Sequence, residues 1–322
     1  MKTITGYLSM LLVVLLLPTI ACADTLRLGL ITPPSHQWTL AAKAFADDLE
    51  KNSDGKLKVL IFPSGQLGNE AQMLQQLQTG ALDMAFLTAG EMANRRPDFA
   101  ALFAPYLVNT PEDAMFLLHG ETATGMLTEL KTLGLVGLGY GMAGFRQIVM
   151  RNEVHSVDDL KGKKVRTIPI EPERDFWTKI GAAPTPIPLP GLYDAFANGQ
   201  VDGMQIDFEG TWNARYLDYA GSVIYSSHML LPMVGVASGK RWNGLSIADR
   251  QLIKSLVGKH LDKVFSIYSD LDQSYLDKIK TSKVPVTKVG REFFGDAVDR
   301  WYQEWRVKAP ALKALEAEAA AL

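Results

Sequence analysis

The chain has 322 residues, 47% of them hydrophobic and 21% charged, with a formal net charge of -2. That length exceeds one ordinary core and suits two domains. The charge marks neither a nucleic-acid partner nor a polybasic membrane surface.

The N-terminus carries Lys2, an almost wholly apolar run over 8–17, Pro18, and Ala21-Cys22-Ala23 as an A-x-A site. These parts in this order read as a secretory signal peptide over 1–23, cleaved after Ala23. The alternative is a membrane anchor, for which the apolar run is short. Cys22 is the only cysteine. Cleavage therefore leaves a mature chain with no disulfide, no cysteine nucleophile and no cysteine-ligated metal. Lipidation of Cys22 is the other reading, although Thr19-Ile20-Ala21 departs from the usual Leu-led signal. No later segment is long and apolar enough to cross a bilayer, so a soluble periplasmic protein is expected.

Strand-like and helix-like runs then alternate. Residues 26–31 read as a strand and 38–51 as an amphipathic helix, with Leu40, Ala44, Phe45 and Leu49 near helical spacing. A turn over 53–56 leads to a strand at 57–62. Asn69 caps a helix that stops at Gly80, and 82–86 is a strand again. Such alternation predicts an α/β fold with largely parallel sheets. The second half echoes the first. A strand ends at Ile187-Pro188, a helix is closed by Gly199, and Asp202 follows Gly199 by three residues as Asp83 follows Gly80. The echo predicts two lobes of similar build. The last third differs: 246–280 reads as one long helix capped by Ser246, then come a short strand at 284–289, a helix at 292–306, and an Ala-rich helix at 311–322 read as a loosely attached brace.

Signs of chemistry are few. Gly139, Gly141 and Gly144 match G-x-G-x-x-G, but 145–150 looks extended instead of opening a helix, so no dinucleotide is expected and the glycines read as a tight crossing between lobes. The five histidines lack metal spacing, no G-x-S-x-G occurs, and no carboxylate pair stands out. The reading is therefore of a non-enzyme with no cofactor and no metal; a secreted enzyme acting on an organic acid is the alternative from another class. The informative region is 159–172. Lys163 to Ile168 reads as a strand, and Pro172 falls in the first turn of a helix, so Arg166 sits near a strand's carboxyl end, where α/β proteins bind ligands. A guanidinium there can hold a carboxylate by two parallel hydrogen bonds. Position alone leaves open a surface Arg beside Lys163 and Lys164.

These residues also carry a resemblance. Phe62-Pro63-Ser64-Gly65-Gln66-Leu67-Gly68-Asn69-Glu70, Gly80-Ala81-Leu82-Asp83-Met84, Asp159-Leu160-Lys161-Gly162 with Val165-Arg166, Gly181-Ala182-Ala183-Pro184-Thr185-Pro186, and Tyr193 through Gly199-Gln200-Val201-Asp202-Gly203 occur in order. Together they resemble the DctP-type solute-binding proteins of TRAP (tripartite ATP-independent periplasmic) transporters, across essentially the whole mature chain. The resemblance implies a two-lobed periplasmic-binding-protein fold with a long helix spanning both lobes. Lobe I would take 24–143 and 232–272, and lobe II 144–231 and 273–322. It also implies hinge closure over a small organic acid anion and delivery to small and large membrane transporter subunits; oligomeric state is open, with a monomer as the default expectation. A sensory protein of the same fold is the alternative.

By the resemblance, Arg166 binds the ligand carboxylate and Arg146, in Gly144-Phe145-Arg146-Gln147, assists. Thr88, Leu189, Gln205 and Ile206 match further pocket positions, and His228 a contact position. Ile206 replaces a frequent Asn, Leu189 an aromatic and Thr88 a Glu of the sialic-acid binders, so sialic acid is not the expected ligand; a smaller or partly apolar acid is. Asp207 and Glu209 read either as pocket acceptors or as a helix cap and solvated acid. His36 and Trp38 follow the first strand as candidate walls, with core burial the alternative for Trp38.

Overall fold

The computed structural model describes residues 24–322, so the signal-peptide reading of 1–23 lies outside the described residues. Among the described residues, eleven strands form two sheets. The first contains β1 (Asp24–Gly29), β2 (Leu57–Phe62), β3 (Met84–Thr88), β4 (Leu135–Phe145) and β10 (Leu230–Ser238), in the order β2-β1-β3-β10-β4. The second contains β5 (Gln147–Met150), β6 (Lys164–Thr167), β7 (Ala183–Pro186), β8 (Gly203–Ile206), β9 (Ser222–Tyr225) and β11 (Val286–Lys288), in the order β11-β9-β5-β8-β6-β7. Each sheet is the centre of one lobe.

The sheets are mixed, which corrects the largely parallel expectation. β1 pairs in parallel with β2 and β3, and β6 with β7 and β8. β10 runs antiparallel to β3 and β4, and β5 runs antiparallel to β8 and β9. The antiparallel strands carry the chain between lobes directly, β4 into β5 and β9 into β10, without the helical crossover that parallel pairing needs. At the crossing, the Arg146 N–H donates to the Met229 carbonyl (2.7 Å) and the His228 N–H donates to the Arg146 carbonyl (3.2 Å). Gly144 has a φ of +68°, and a Cβ there would meet Asp272 Oδ1 at 3.0 Å. Gly139 and Gly141 lie inside β4, paired with Gly235 and Met233 of β10, and only Gly144 stands at the crossing, which corrects the reading of all three glycines as the crossing.

The echoed Gly-x-x-Asp has a structural cause. Asp83, just before β3, accepts the Arg27 N–H of β1 (2.8 Å). Asp202, just before β8, accepts the Lys164 N–H of β6 (2.7 Å). In each lobe the aspartate bonds a backbone N–H of the neighbouring parallel strand, within β1 at Arg27 and at the start of β6 at Lys164. Asn69 forms a full capping box with Gln72 and Gly80 closes the same helix at φ 81°, as their residue types require.

The long helix Ile247–Lys280 has 34 residues, about 51 Å at 1.5 Å per residue. It packs on β4 and on helices Gln37–Asn52 and Pro111–His119 of the first lobe, and on helix Phe208–Asn213 of the second. The helix read at 292–306 is interrupted: Arg291–Phe294 is a 3-10 turn, Gly295 at φ 57° breaks it, and Ala297–Lys308 follows. The C-terminal segment differs more. Leu312 and Leu315 of Ala311–Ala319 are fully buried, Thr122 donates to Glu318 (2.6 Å), and the Ala311 N–H donates to Asp98 (3.0 Å). This helix is a packed element, and it lies against Pro97–Phe103 and the helices Pro111–His119 and Glu121–Glu129, elements within the span read as lobe I instead of lobe II. Its two leucines at i, i+3 form one apolar stripe, and that stripe needs a face to bury against.

Candidate ligand-binding site

A cavity of about 610 Å³ opens between the lobes. It lies at the carboxyl ends of four strands. Thr88 ends β3, Ile206 ends β8, Arg166 is the third residue of β6, and His36 follows β1. Parallel strands direct their loops and helix N-termini to that end, so ligand-facing groups collect there. Arg166, Arg146, Ile206, Leu189, Thr88 and Asp207 all line the cavity, as do His36 and Trp38.

Gln205 is the exception, and the expectation for it is corrected. Successive side chains of a strand point to opposite faces. Ile206 faces the cavity, so Gln205 turns behind it, where its Oε1 lies 2.9 Å from His228 Nε2. His228 is fully buried, stacked on Phe176 at 5.3 Å, with Nδ1 2.8 Å from the Ser226 hydroxyl. Burial and the Arg146 charge push its ring down to about 3. The pair belongs to the core of the second lobe and does not line the cavity.

The two arginines differ in their surroundings. Arg146 is 2% exposed and lies between two buried acids, with Nη1 3.3 Å from Asp207 and Nε 3.6 Å from Glu173. Arg166 is 1% exposed, and its Nε donates to the Ile187 carbonyl (2.8 Å). Its Nη1 has no hydrogen-bond partner, and among the described residues no carboxylate lies within ion-pair distance. Burial, and then the like charge of Arg146, pull its guanidinium down to about 10; Glu173 and Glu70 oppose this only from longer range. It stays cationic at neutral pH. A buried cation with an unused donor is costly unless an anion completes it.

Opposite stands a second polar group. His36 caps the helix Gln37–Asn52, its Nδ1 accepting the Trp38 N–H (3.1 Å). Burial pushes its pKa down to about 4, so the ring is neutral and its proton sits on Nε2, 3.6 Å from Glu209. Glu209 accepts from the Gln37 N–H (3.2 Å) and from the Tyr268 hydroxyl. It therefore ties the second lobe to the first turn of a first-lobe helix and to the long helix. Burial and Asp207 raise Glu209 to about 8, and burial with the same acids raises Asp272 to about 8. The ligand atoms of His36, Asp207 and Glu209 lie within 4.8 Å of one another. They do not fit a metal: Nε2 has no lone pair in this tautomer, and Asp207 is occupied by Arg146.

Asp207 caps the helix Phe208–Asn213, accepting the Gly210 N–H at 2.7 Å, and also lines the cavity. Trp38 likewise serves as wall and core: it is 1% exposed, and its indole N–H donates to the Met142 carbonyl (2.8 Å). Sequence reasoning missed Glu70, Glu173 and Tyr216. Glu70 accepts from the Thr88 N–H (2.5 Å) and hydroxyl (3.0 Å) and is raised to about 7 by burial. Glu173 accepts the Ile168 N–H (2.8 Å). Both occupy first turns of helices, where acids are ordinary dipole partners, so nothing in the sequence singles them out. Tyr216 follows a residue in the left-handed conformation, Arg215, and gives no pattern at all.

An α/β chain of two sheets with a strand-end cleft between them has the form of a two-lobed binding protein. Residues 28–308 match the DctP model, bacterial extracellular solute-binding protein family 7, and the chain belongs to that family. It is similar to the 2,3-diketo-L-gulonate-binding periplasmic protein YiaO of Escherichia coli K12, 27% identical over 301 residues, covering 91% of this chain and 92% of the relative. It is 25% identical over 306 residues to the sialic acid-binding periplasmic protein SiaP of Vibrio cholerae, covering 95% of each. Among solved structures, a TRAP periplasmic solute-binding protein from Bradyrhizobium with bound galacturonate superposes with a TM-score of 0.85 at 28% identity, covering 91% of this chain and 99% of that one. Among the described residues, no helix is long and apolar enough to cross a membrane.

Proposed function

We propose that this chain captures a small organic acid between its lobes and hands it, chemically unchanged, to the membrane subunits of a TRAP-type transporter. Arg166 seats the carboxylate. The observation that carries this is its isolation: a buried guanidinium lines the cavity with one N–H group unsatisfied and no acid beside it. The names of the similar proteins support the reading, since galacturonate, 2,3-diketo-L-gulonate and sialic acid are all carboxylates. Export to the periplasm, with removal of residues 1–23, follows from the N-terminal sequence.

Glu209 holds the closed form. Its bond to the Gln37 N–H exists only when the lobes meet, so ligand binding and closure reinforce each other. Thr88, Leu189 and Ile206 shape the cavity, and Trp38 forms an apolar wall.

The test is a thermal-shift screen of residues 24–322 against organic acids, with Arg166→Ala in parallel. A ligand at 100 times its dissociation constant adds about 2.7 kcal/mol to the folded state. The expected result is one class of acids that shifts the wild type and not the variant. No shift with any acid, or a shift that survives loss of Arg166, overturns the proposal.

A further inference from the structure

The charges around the cavity restrict the ligand further, on the condition that Arg166 is the carboxylate seat proposed above. Two guanidiniums line the cavity and each keeps one N–H group without a hydrogen-bond partner, but among the described residues only Arg146 has carboxylates within ion-pair distance. Arg146 contacts Asp207 at 3.3 Å and Glu173 at 3.6 Å, so two buried acids already balance it. Every other ionisable acid or base on the wall apart from Arg166 and the neutral His36 is an acid or the phenol of a tyrosine: Glu70, Glu91 and Glu209. Glu91 is paired with Arg95 (2.6 Å). Glu70 and Glu209 have hydrogen-bond donors but no ion-pair cation, among the described residues, other than the neutral His36 ring beside Glu209.

We infer that the site selects monocarboxylates and rejects dicarboxylates: it offers a single anion seat at Arg166, and a second carboxylate would face acids or an arginine already paired with two of them. The remaining wall explains what the other end of the ligand can be. Trp38, Ile168, Ile170, Leu189, Ile206 and Leu231 give it an apolar character, while Glu209 can accept from a hydroxyl. A second carboxylate buried against these groups would have no cation of its own, whereas a hydroxyl or alkyl group needs none. Asp207 is the determinant on this view. It does not touch the seated carboxylate; it neutralises the arginine that would otherwise take a second one.

Titration calorimetry on matched acids tests this. The pairs are galactonate with galactarate, butyrate with succinate, and benzoate with terephthalate, each differing by one carboxylate. The expected result is that at least one monoacid binds in an Arg166-dependent way and its diacid partner binds roughly tenfold or more weakly. Asp207→Asn keeps the helix cap, since Asn caps as well as Asp, and leaves Arg146 with Glu173 as its one acid; it should shrink that gap by roughly tenfold. Melting curves report whether this variant folds, and the wild-type comparison stands without it. A diacid that binds as tightly as its monoacid, still dependent on Arg166, overturns the selectivity and leaves the carboxylate seat intact. A gap unchanged in folded Asp207→Asn overturns the role of Asp207. Absence of binding by every acid of either kind overturns the carboxylate seat and the selectivity with it.

Discussion

Arg146 Nη1 lies 3.3 Å from Asp207 Oδ2, joining the strand crossing between the lobes to the cap of a second-lobe helix. Glu173 lies 3.6 Å from its Nε on the other side, whereas among the described residues Arg166 has no carboxylate within ion-pair distance.

Replacement by alanine should separate the two. Arg146→Ala leaves Glu173 and Asp207 buried without their cation, which costs roughly 3–5 kcal/mol. Arg166→Ala removes a desolvated charge that no neighbouring acid balances, so the unliganded protein should lose far less. Urea unfolding of both variants without ligand checks this; equal losses would mean that the two guanidiniums have the same role.

Stability should fall as pH rises above 6.5. Glu70 is raised to about 7 and Glu209 and Asp272 to about 8, all chiefly by burial. Each holds a proton in the folded state that the unfolded chain has already released, so its contribution is present below about 4.5 and is lost as pH climbs to about 8. His36 and His228 act oppositely, because their folded values are depressed, but only below about 6.5. Between pH 6.5 and 8 only the carboxyl effect remains. Melting temperatures of the unliganded protein across that range should decline, and the Glu209→Gln Asp272→Asn double variant should show a shallower decline.

The closing helix should matter to folding. Leu312→Ala and Leu315→Ala each empty a fully buried site and should cost roughly 2–5 kcal/mol. Chemical denaturation measures it, and a loss near zero would restore the view of this segment as a loose brace.

Closure should depend on Glu209. Its replacement by alanine removes the acceptor shared by Gln37 and Tyr268. Small-angle scattering of the liganded variant should show a larger radius of gyration than the liganded wild type, with faster ligand release. Identical scattering and release would place the closing contact elsewhere.

Much of this was legible in the sequence where local chemistry decides. Asn69 and Gly80 bound a helix by cap and left-handed turn, Ser246 starts the long helix, and Arg166 falls at a strand end by hydrophobic pattern alone. What was hidden depends on pairing across the chain. The antiparallel direction of β5 and β10 follows from where the chain crosses between lobes, which no local period records. Gln205 and Ile206 matched adjacent family positions, yet strand alternation sends only one of them to the cavity. Glu70 and Glu173 look like ordinary first-turn acids until the fold brings Thr88 to one and Arg146 to the other. The family resemblance supplied Arg146 as a ligand contact; only the spatial arrangement places Glu173 and Asp207 beside it.

The most direct measurement is a double-mutant cycle on the carboxylate itself. An acid identified by the thermal-shift screen and its uncharged primary amide would each be titrated calorimetrically against the wild type and Arg166→Ala. If Arg166 seats the carboxylate, the amide should bind the wild type with a loss of about 3 kcal/mol, roughly 100-fold, and the variant should no longer distinguish acid from amide. If Arg166→Ala still prefers the acid by the same factor, the carboxylate is held elsewhere and the central claim is wrong.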